Sequence, residues 1–306
     1  MTTILANSGT GNIIQCVASG GGGYMQFVLS TTDLLSQLPT SVAAFSLRAV
    51  KGTNTLAVNV RRSTDNATQD FWADQSHNLM TPGNQTLASW LGAATGHVVT
   101  LYDQSGSGNH ATQATSANQP GISTATKGPG YMVTFDGSTQ HLTLTSTGNT
   151  LLNGTNFTLN GVTQRTAAKA TTNYIFGTNT ANGNFQNVGI GFDNDTTLSP
   201  LGNLTNTNGT QLAITGWVSN APTRYITGTV VPTRAGYSND TLIGTNSNTG
   251  LLQVPSGGSY SIGYVRNGQN FFHFTGNLFE LLVFSAGFTQ SQVTLLYNNQ
   301  FATYGT

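Results

Sequence analysis

Ala57-Val58-Asn59-Val60-Arg61 and Val98-Val99-Thr100-Leu101-Tyr102 are short alternating runs, and the second leads straight into Asp103-Gln104-Ser105-Gly106-Ser107-Gly108-Asn109-His110. A period of two is that of a strand with one buried face, and Asp, Ser and Asn close tight loops because their short side chains hydrogen-bond nearby backbone. Working outward, Tyr131 to Phe135 and His141 to Leu144 repeat the pattern, each run bounded by Gly, Asn, Asp or Pro. Helical spacing is scarce. It is confined to Thr86–Leu91 and to Thr289–Tyr304, where Val293, Leu296, Tyr297, Phe301 and Tyr304 recur at three- and four-residue steps. The chain is expected to be all-β, with one or two short helices packed on the sheets.

Composition narrows the function classes. Charged residues are 7% of the chain, while 37% are hydrophobic, so the chain can bury enough apolar surface to fold and is solvated mainly by amides and hydroxyls. Net charge is zero and no basic run exceeds Arg61-Arg62, which argues against phosphate neutralisation and hence against a nucleic-acid partner. The strongest late apolar run, Leu278 to Phe284, is short and carries Glu280, so no membrane insertion is expected. The N-terminus lacks a basic start and a continuous apolar stretch, so a secretory signal is not expected there. Cys16 alone provides no internal disulfide. Eight Asn-x-Ser/Thr sequons, at Asn66, Asn84, Asn153, Asn156, Asn194, Asn203, Asn208 and Asn239, are what so Asn- and Thr-rich a chain yields by chance.

Two blocks carry a family resemblance. Ala44-Phe45-Ser46-Leu47-Arg48, Val58 to Asn66, Asp70-Phe71 and Leu101 to His110 resemble the N-terminal part of the fungal α-L-arabinofuranosidase B catalytic domain, a concanavalin-like sandwich. The same block, with Asn66-Ala67-Thr68-Gln69-Asp70-Phe71, Leu87-Ala88-Ser89-Trp90-Leu91-Gly92 and Ala94-Thr95-Gly96, is similar to versions in structural proteins of large double-stranded DNA viruses. From Tyr131 to Tyr304, Phe135-Asp136-Gly137, Tyr260-Ser261-Ile262-Gly263 and Gly276-Asn277-Leu278-Phe279-Glu280 resemble laminin-G-like domains, which end in such a strand and a short helix. The resemblance implies a two-sheet antiparallel jelly-roll sandwich over residues 41–306. Residues 1–40, with the break Gly20 to Gly23 and a helix start at Thr31-Thr32-Asp33, are expected to form an arm or extra strands.

Glycoside hydrolysis of the retaining kind needs two carboxylates about 5 Å apart. Glu280 is the only Glu, and its place in the final strand pattern marks it as a hydrogen-bonded sheet residue. The arabinofuranosidase nucleophile segment, of Asp-Leu-Glu type beside disulfides, has no match here, so no catalytic residue is carried over. Asp103 and His110 read either as an acid and base beside a Gly-rich loop or as loop caps. His77, His97, His141 and His273 stand apart with no ligand spacing, so zinc is not expected. Asp193 and Asp195, in Gly191-Phe192-Asp193-Asn194-Asp195-Thr196, are the candidate calcium ligands, or else an Asx-turn. Trp72, Trp90 and Trp217 suit sugar stacking if exposed and a core if not.

These residues lead to an expected virion structural protein, not an enzyme, with no cofactor beyond the calcium candidate. Its partners would be other capsid proteins or copies of itself, with assembly in the host cytoplasm. Two alternatives stand beside it: a carbohydrate-binding module for host attachment, with glycans as partner, and a diverged arabinofuranosidase-like glycosidase.

Overall fold

The computed structural model describes residues 4–7, 13–18, 25–30, 33–125, 128–147, 151–152, 156–167, 173–180, 189–192, 202–205, 211–214, 223–230, 233–246, 258–267 and 270–305. The described chain is all-β. Residues Ile4–Asn7, Ile13–Ala18 and Met25–Ser30 form a separate three-stranded antiparallel meander, and the remaining strands join in one large curled sheet. Two α-helices accompany the described strands, Leu87–Leu91 and Gln290–Tyr304.

The organising element is the strand Thr275–Phe284. Nine of its ten residues are buried, so it is covered on both faces rather than one. Leu281 and Val283 project into the main apolar cluster, which draws on Ala43, Phe45, Val58, Phe71, Val98, Leu159 and Ile262 and thus on both resemblance blocks. Leu282 and Phe284 point the other way, onto Val293 and Leu296 of the C-terminal helix. Backbone pairing fixes the strand on both edges: Ser41–Ser46 and Tyr131–Asp136 on one, Phe157–Arg165 on the other.

The helix Gln290–Tyr304 begins with a capping box, Thr289 and Gln292 satisfying each other's backbone amides. Its expected apolar face is only partly the buried one. Val293, Leu296 and Tyr304 are buried, but Phe301 is 40% exposed and stacks on Tyr297, while Gln300 takes an inward position. Asp33 caps a short 3-10 turn, Leu34–Gln37, at the place where a helix start was expected. Thr86 caps Leu87–Leu91.

The expectation of purely antiparallel sheets is corrected. Ser259–Ile262 runs antiparallel to Asn173–Thr180, and the chain then reverses at Gly263, so that Arg266 and Asn267 lie parallel to Asn179 and Thr180. Gly263 is required there twice over: its φ is +81°, and a Cβ would stand 2.3 Å from the Phe135 ring. The turns expected at Asn182-Gly183 and Asn208-Gly209 lie outside the described residues, but the strands flanking each pair antiparallel.

The loop after Leu101 is closed by its Asp. Asp103 is buried and accepts from Ala44 N, Ser105 N, Ser105 Oγ and Asn109 N at 2.8–2.9 Å, while its own N–H donates to His110 Nδ1 at 3.0 Å. This ties the loop to the strand Ser41–Ser46. Asp103→Ala leaves three backbone amides without their acceptor and is expected to cost at least about 3 kcal/mol in chemical denaturation.

Candidate functional site

Glu280 is fully buried. Its Oε2 accepts from Arg48 Nε at 2.8 Å, Ser46 Oγ at 3.2 Å and Tyr304 OH at 3.3 Å. Its Oε1 accepts from Gln300 Nε2 at 2.9 Å and Arg48 Nη2 at 3.3 Å. Burial by itself pushes the carboxyl up, but the Arg48 charge and the donated hydrogen bonds outweigh it and hold Glu280 below its ordinary value. Protein donors surround it completely, so it cannot touch a substrate. Glu280→Ala would strand the Arg48 charge in the core, and a loss of about 3–5 kcal/mol in unfolding free energy is expected.

His77 lies beside this network, edge-on to Tyr304 at 5.7 Å between ring centroids. Burial, then the Arg48 charge, push its pKa from 6.5 down to about 4, against the pull of Glu280 and Asp74. Between those two values the unfolded chain holds a proton that the folded chain does not, so stability rises with pH across that window and falls on acidification. His77→Asn tolerates the native φ of +67° and removes the group. The difference in unfolding free energy between pH 7 and pH 4.5 should shrink by about 2 kcal/mol in that variant.

The other described carboxylates are mostly committed. Asp136 collects amides and hydroxyls from Ser138 and Thr139 and the Gln140 amide; these hold it low although burial pushes it up. Asp33 takes the Ser36 and Gly52 amides. Asp65 pairs with Arg62 at 2.7 Å. Asp70 accepts from Asn59 Nδ2 at 2.7 Å and Tyr102 OH at 2.8 Å, and Asp74 from Asn78. Asp240 sits in the tight hairpin between Thr233–Ser238 and Thr241–Asn246. Asp193 and Asp195, the calcium candidates, lie outside the described residues, as does Trp217.

One region gathers polar and aromatic groups that the sequence keeps far apart. The antiparallel strands Tyr264–Asn267 and Asn270–His273 place Tyr264 opposite His273, with ring centroids 4.8 Å apart. His141 joins them, 5.0 Å from Tyr264 and 6.4 Å from His273. Its Nδ1 is 2.8 Å from the Thr139 carbonyl, which can only accept, so the proton sits on Nδ1. Nε2 then accepts from Gln113 Nε2 at 3.1 Å. Phe271 is 52% exposed, stacked on Tyr264 with the Arg266 guanidinium over its face.

This group borders the strand pair Asn173–Thr180 and Gly189–Phe192, because Tyr174 meets Phe272 edge-on at 5.9 Å and pairs with Gly191. Asn173, opposite Phe192, is fully buried, and among the described residues neither of its amide atoms finds a hydrogen-bond partner. An orphaned buried amide is costly. From Phe192 the chain continues directly into Asp193 and Asp195. The sequence reading treated the His residues as isolated. The available signal was the alternation Tyr264, Arg266 and Phe271, His273 on either side of Asn267-Gly268, which pairs these residues across a hairpin.

The other aromatics divide. Trp90 packs against the core, edge-on to Phe71 at 5.6 Å and covered by Arg62. Trp72 is on the outer face of its strand.

With this geometry in hand, comparison with solved structures is informative. The backbone is similar to that of an arabinofuranosidase complexed with arabinofuranosyl-α-1,2-xylobiose, with a TM-score of 0.65, 16% identity, and coverage of 87% of this chain and 64% of that one. It is also similar to a mutant GH54 α-L-arabinofuranosidase soaked with 4-nitrophenyl α-L-arabinofuranoside, with a TM-score of 0.64, 17% identity, and coverage of 86% and 63%. The chain thus spans slightly less than two thirds of the length of these proteins. No family model and no curated protein matches the sequence. What this likeness shows is the fold alone, a β-sandwich similar to that of these proteins.

These matches overturn the expected virion structural protein that is not an enzyme. What the backbone follows over most of its length is the fold of glycoside hydrolases, and neither neighbour is a capsid protein. That expectation rests on the resemblance to viral structural proteins, with which the low charge, the lone Cys and the missing signal agree. Those properties equally suit a sandwich that works on polysaccharide, since both surfaces must be neutral and rich in hydrogen-bonding groups.

Proposed function

We propose that this chain is a concanavalin-like jelly-roll sandwich that hydrolyses arabinofuranosyl linkages in plant-type polysaccharides. The observation that carries the reading is the backbone likeness to arabinofuranosidases over 87% of the chain. The aromatic and histidine cluster around Tyr264, with Phe271 exposed at its rim, supports it as a surface on which a sugar ring would rest.

The chemistry then follows from the carboxylate inventory. Glycoside hydrolysis uses one carboxylic acid to protonate the departing oxygen and a second carboxylate to attack the anomeric carbon or to activate water. Glu280 is enclosed, and seven others serve as caps, ion pairs or turn residues in the fold. Asp193 and Asp195 remain, and they follow the strand that pairs with Asn173 and Tyr174. We assign the acid and nucleophile or base to these two.

The test is release of 4-nitrophenol from 4-nitrophenyl α-L-arabinofuranoside and of arabinose from arabinoxylan. Asp193→Asn and Asp195→Asn should each lower kcat by about 10²–10⁴-fold with folding intact. Failure of the purified protein to turn over either substrate sinks the reading. Turnover that vanishes with EDTA and returns with calcium would instead assign the two Asp residues to an ion.

A further inference from the structure

The face of the sheet carrying Trp72 holds a concavity whose lining shares no residue with the aromatic cluster around Tyr264. Strands Asn54–Arg62, Thr68–Asp74 and Leu79–Met80 lie side by side, and their registers place Leu56, Trp72 and Met80 in one row and Asn54 and Asp74 in the next. Residues that face each other across a ladder share a face, so the rows form a shelf: apolar in the first, polar in the second. Alternation confirms the direction. Phe71 and Ala73 are fully buried, while Trp72 between them is only partly covered and lies outside the core cluster.

A cavity of about 450 Å³ opens over this shelf, lined by Trp72, Met80, Asp74, Asn54, Asn78 and Asn84 among others. That volume falls within the range of about 300–1,000 Å³ typical of small-molecule sites. Two tight turns build its rim. In the turn after Asp74, Asn78 donates to both carboxylate oxygens, from N at 2.9 Å and Nδ2 at 2.8 Å, which holds the carboxylate still. In the turn after Met80, Asn84 has a φ of +61° and its N–H donates to Thr81 O at 2.9 Å, which positions the Asn84 amide at the mouth.

We propose that this cavity is a binding subsite for a neutral saccharide unit, distinct from the hydrolytic site. The lining chemistry decides the class. No Lys or Arg is among the described lining residues, so an anion has no counter-charge, and a single carboxylate does not make a cation site. An indole face beside a thioether suits the C–H face of a sugar ring, while a fixed carboxylate and three amides accept from and donate to ring hydroxyls. The proposal rests on the preceding reading for the substrate class alone, and not for the chemistry.

The test uses the full chain and soluble arabinoxylan oligosaccharides as probe. Trp72→Ala should weaken binding at least about tenfold in calorimetry, with Trp72→Tyr retaining part of it, while turnover of the small aryl arabinofuranoside is unchanged. On the wild-type protein, the probe should protect Trp72 and Met80 from hydroxyl-radical oxidation, a readout that needs no variant to fold. Unchanged affinity in Trp72→Ala, or no protection at saturating probe, overturns the subsite. Hydrolysis without protection would leave the enzymatic reading standing and the subsite refuted. Protection without hydrolysis would do the reverse.

Discussion

A carboxylate buried in the middle of a core strand constrains everything near it. Glu280 ionised at zero exposure is tolerable only because Arg48, 232 residues earlier, reaches it through two nitrogens, and Arg48 Nη2 also donates to Asn299 Oδ1. Ser46, Gln300 and Tyr304 fill the remaining acceptor capacity. Three of these partners lie on one helix, so the network fixes both the rotation and the depth of Gln290–Tyr304 against the sheet. Isolated apolar packing at Val293 and Leu296 would tolerate sliding; directional hydrogen bonds do not. The same constraint explains Gln300 facing inward, where it also exchanges hydrogen bonds with Asn160 of the neighbouring strand.

The network reaches further through His77. Its ring stays neutral because a protonated imidazole would be desolvated and would stand against Arg48. The turn that carries it therefore has two sides. Inward it closes the Glu280 cluster, and outward Asp74 and Asn78 form the polar wall of the cavity over Trp72. A left-handed residue at His77 is what lets five residues serve both faces.

Local rules made much of this legible. Strand alternation, the Asp103 loop, the caps at Asp33, Thr86 and Thr289 and the terminal helix each follow from interactions within a few residues, which a sequence displays directly. Glu280 was recognisable as a sheet residue, yet its partners were not, because an ion pair closed by folding leaves no local trace. Phe301 was misplaced for the same reason: helical spacing put it on the apolar stripe, but the demand of Glu280 for a donor gave the inward position to Gln300. The parallel pairing after Gly263 depends on a reversal whose only local sign is one glycine among 37. Trp72 faces outward because its strand buries Phe71 and Ala73 on either side of it, whereas Trp90, on the helix Leu87–Leu91, packs inward against Phe71.

Function was harder to read than fold because the composition describes a surface, not a reaction. Low charge argues against phosphate neutralisation but fits every surface that works by neutral hydrogen bonding. The carboxylates discriminate better. A chain with one Glu that places it beyond reach of solvent, and then spends most of its Asp residues on backbone amides, has few groups left for acid–base work. Stability divides this small inventory unevenly: the folded frame consumes the carboxylates between Asp33 and Asp136 together with Glu280. That division accounts for a fold shared with arabinofuranosidases at 16% identity, since the frame can be held by any residues that satisfy the same buried donors.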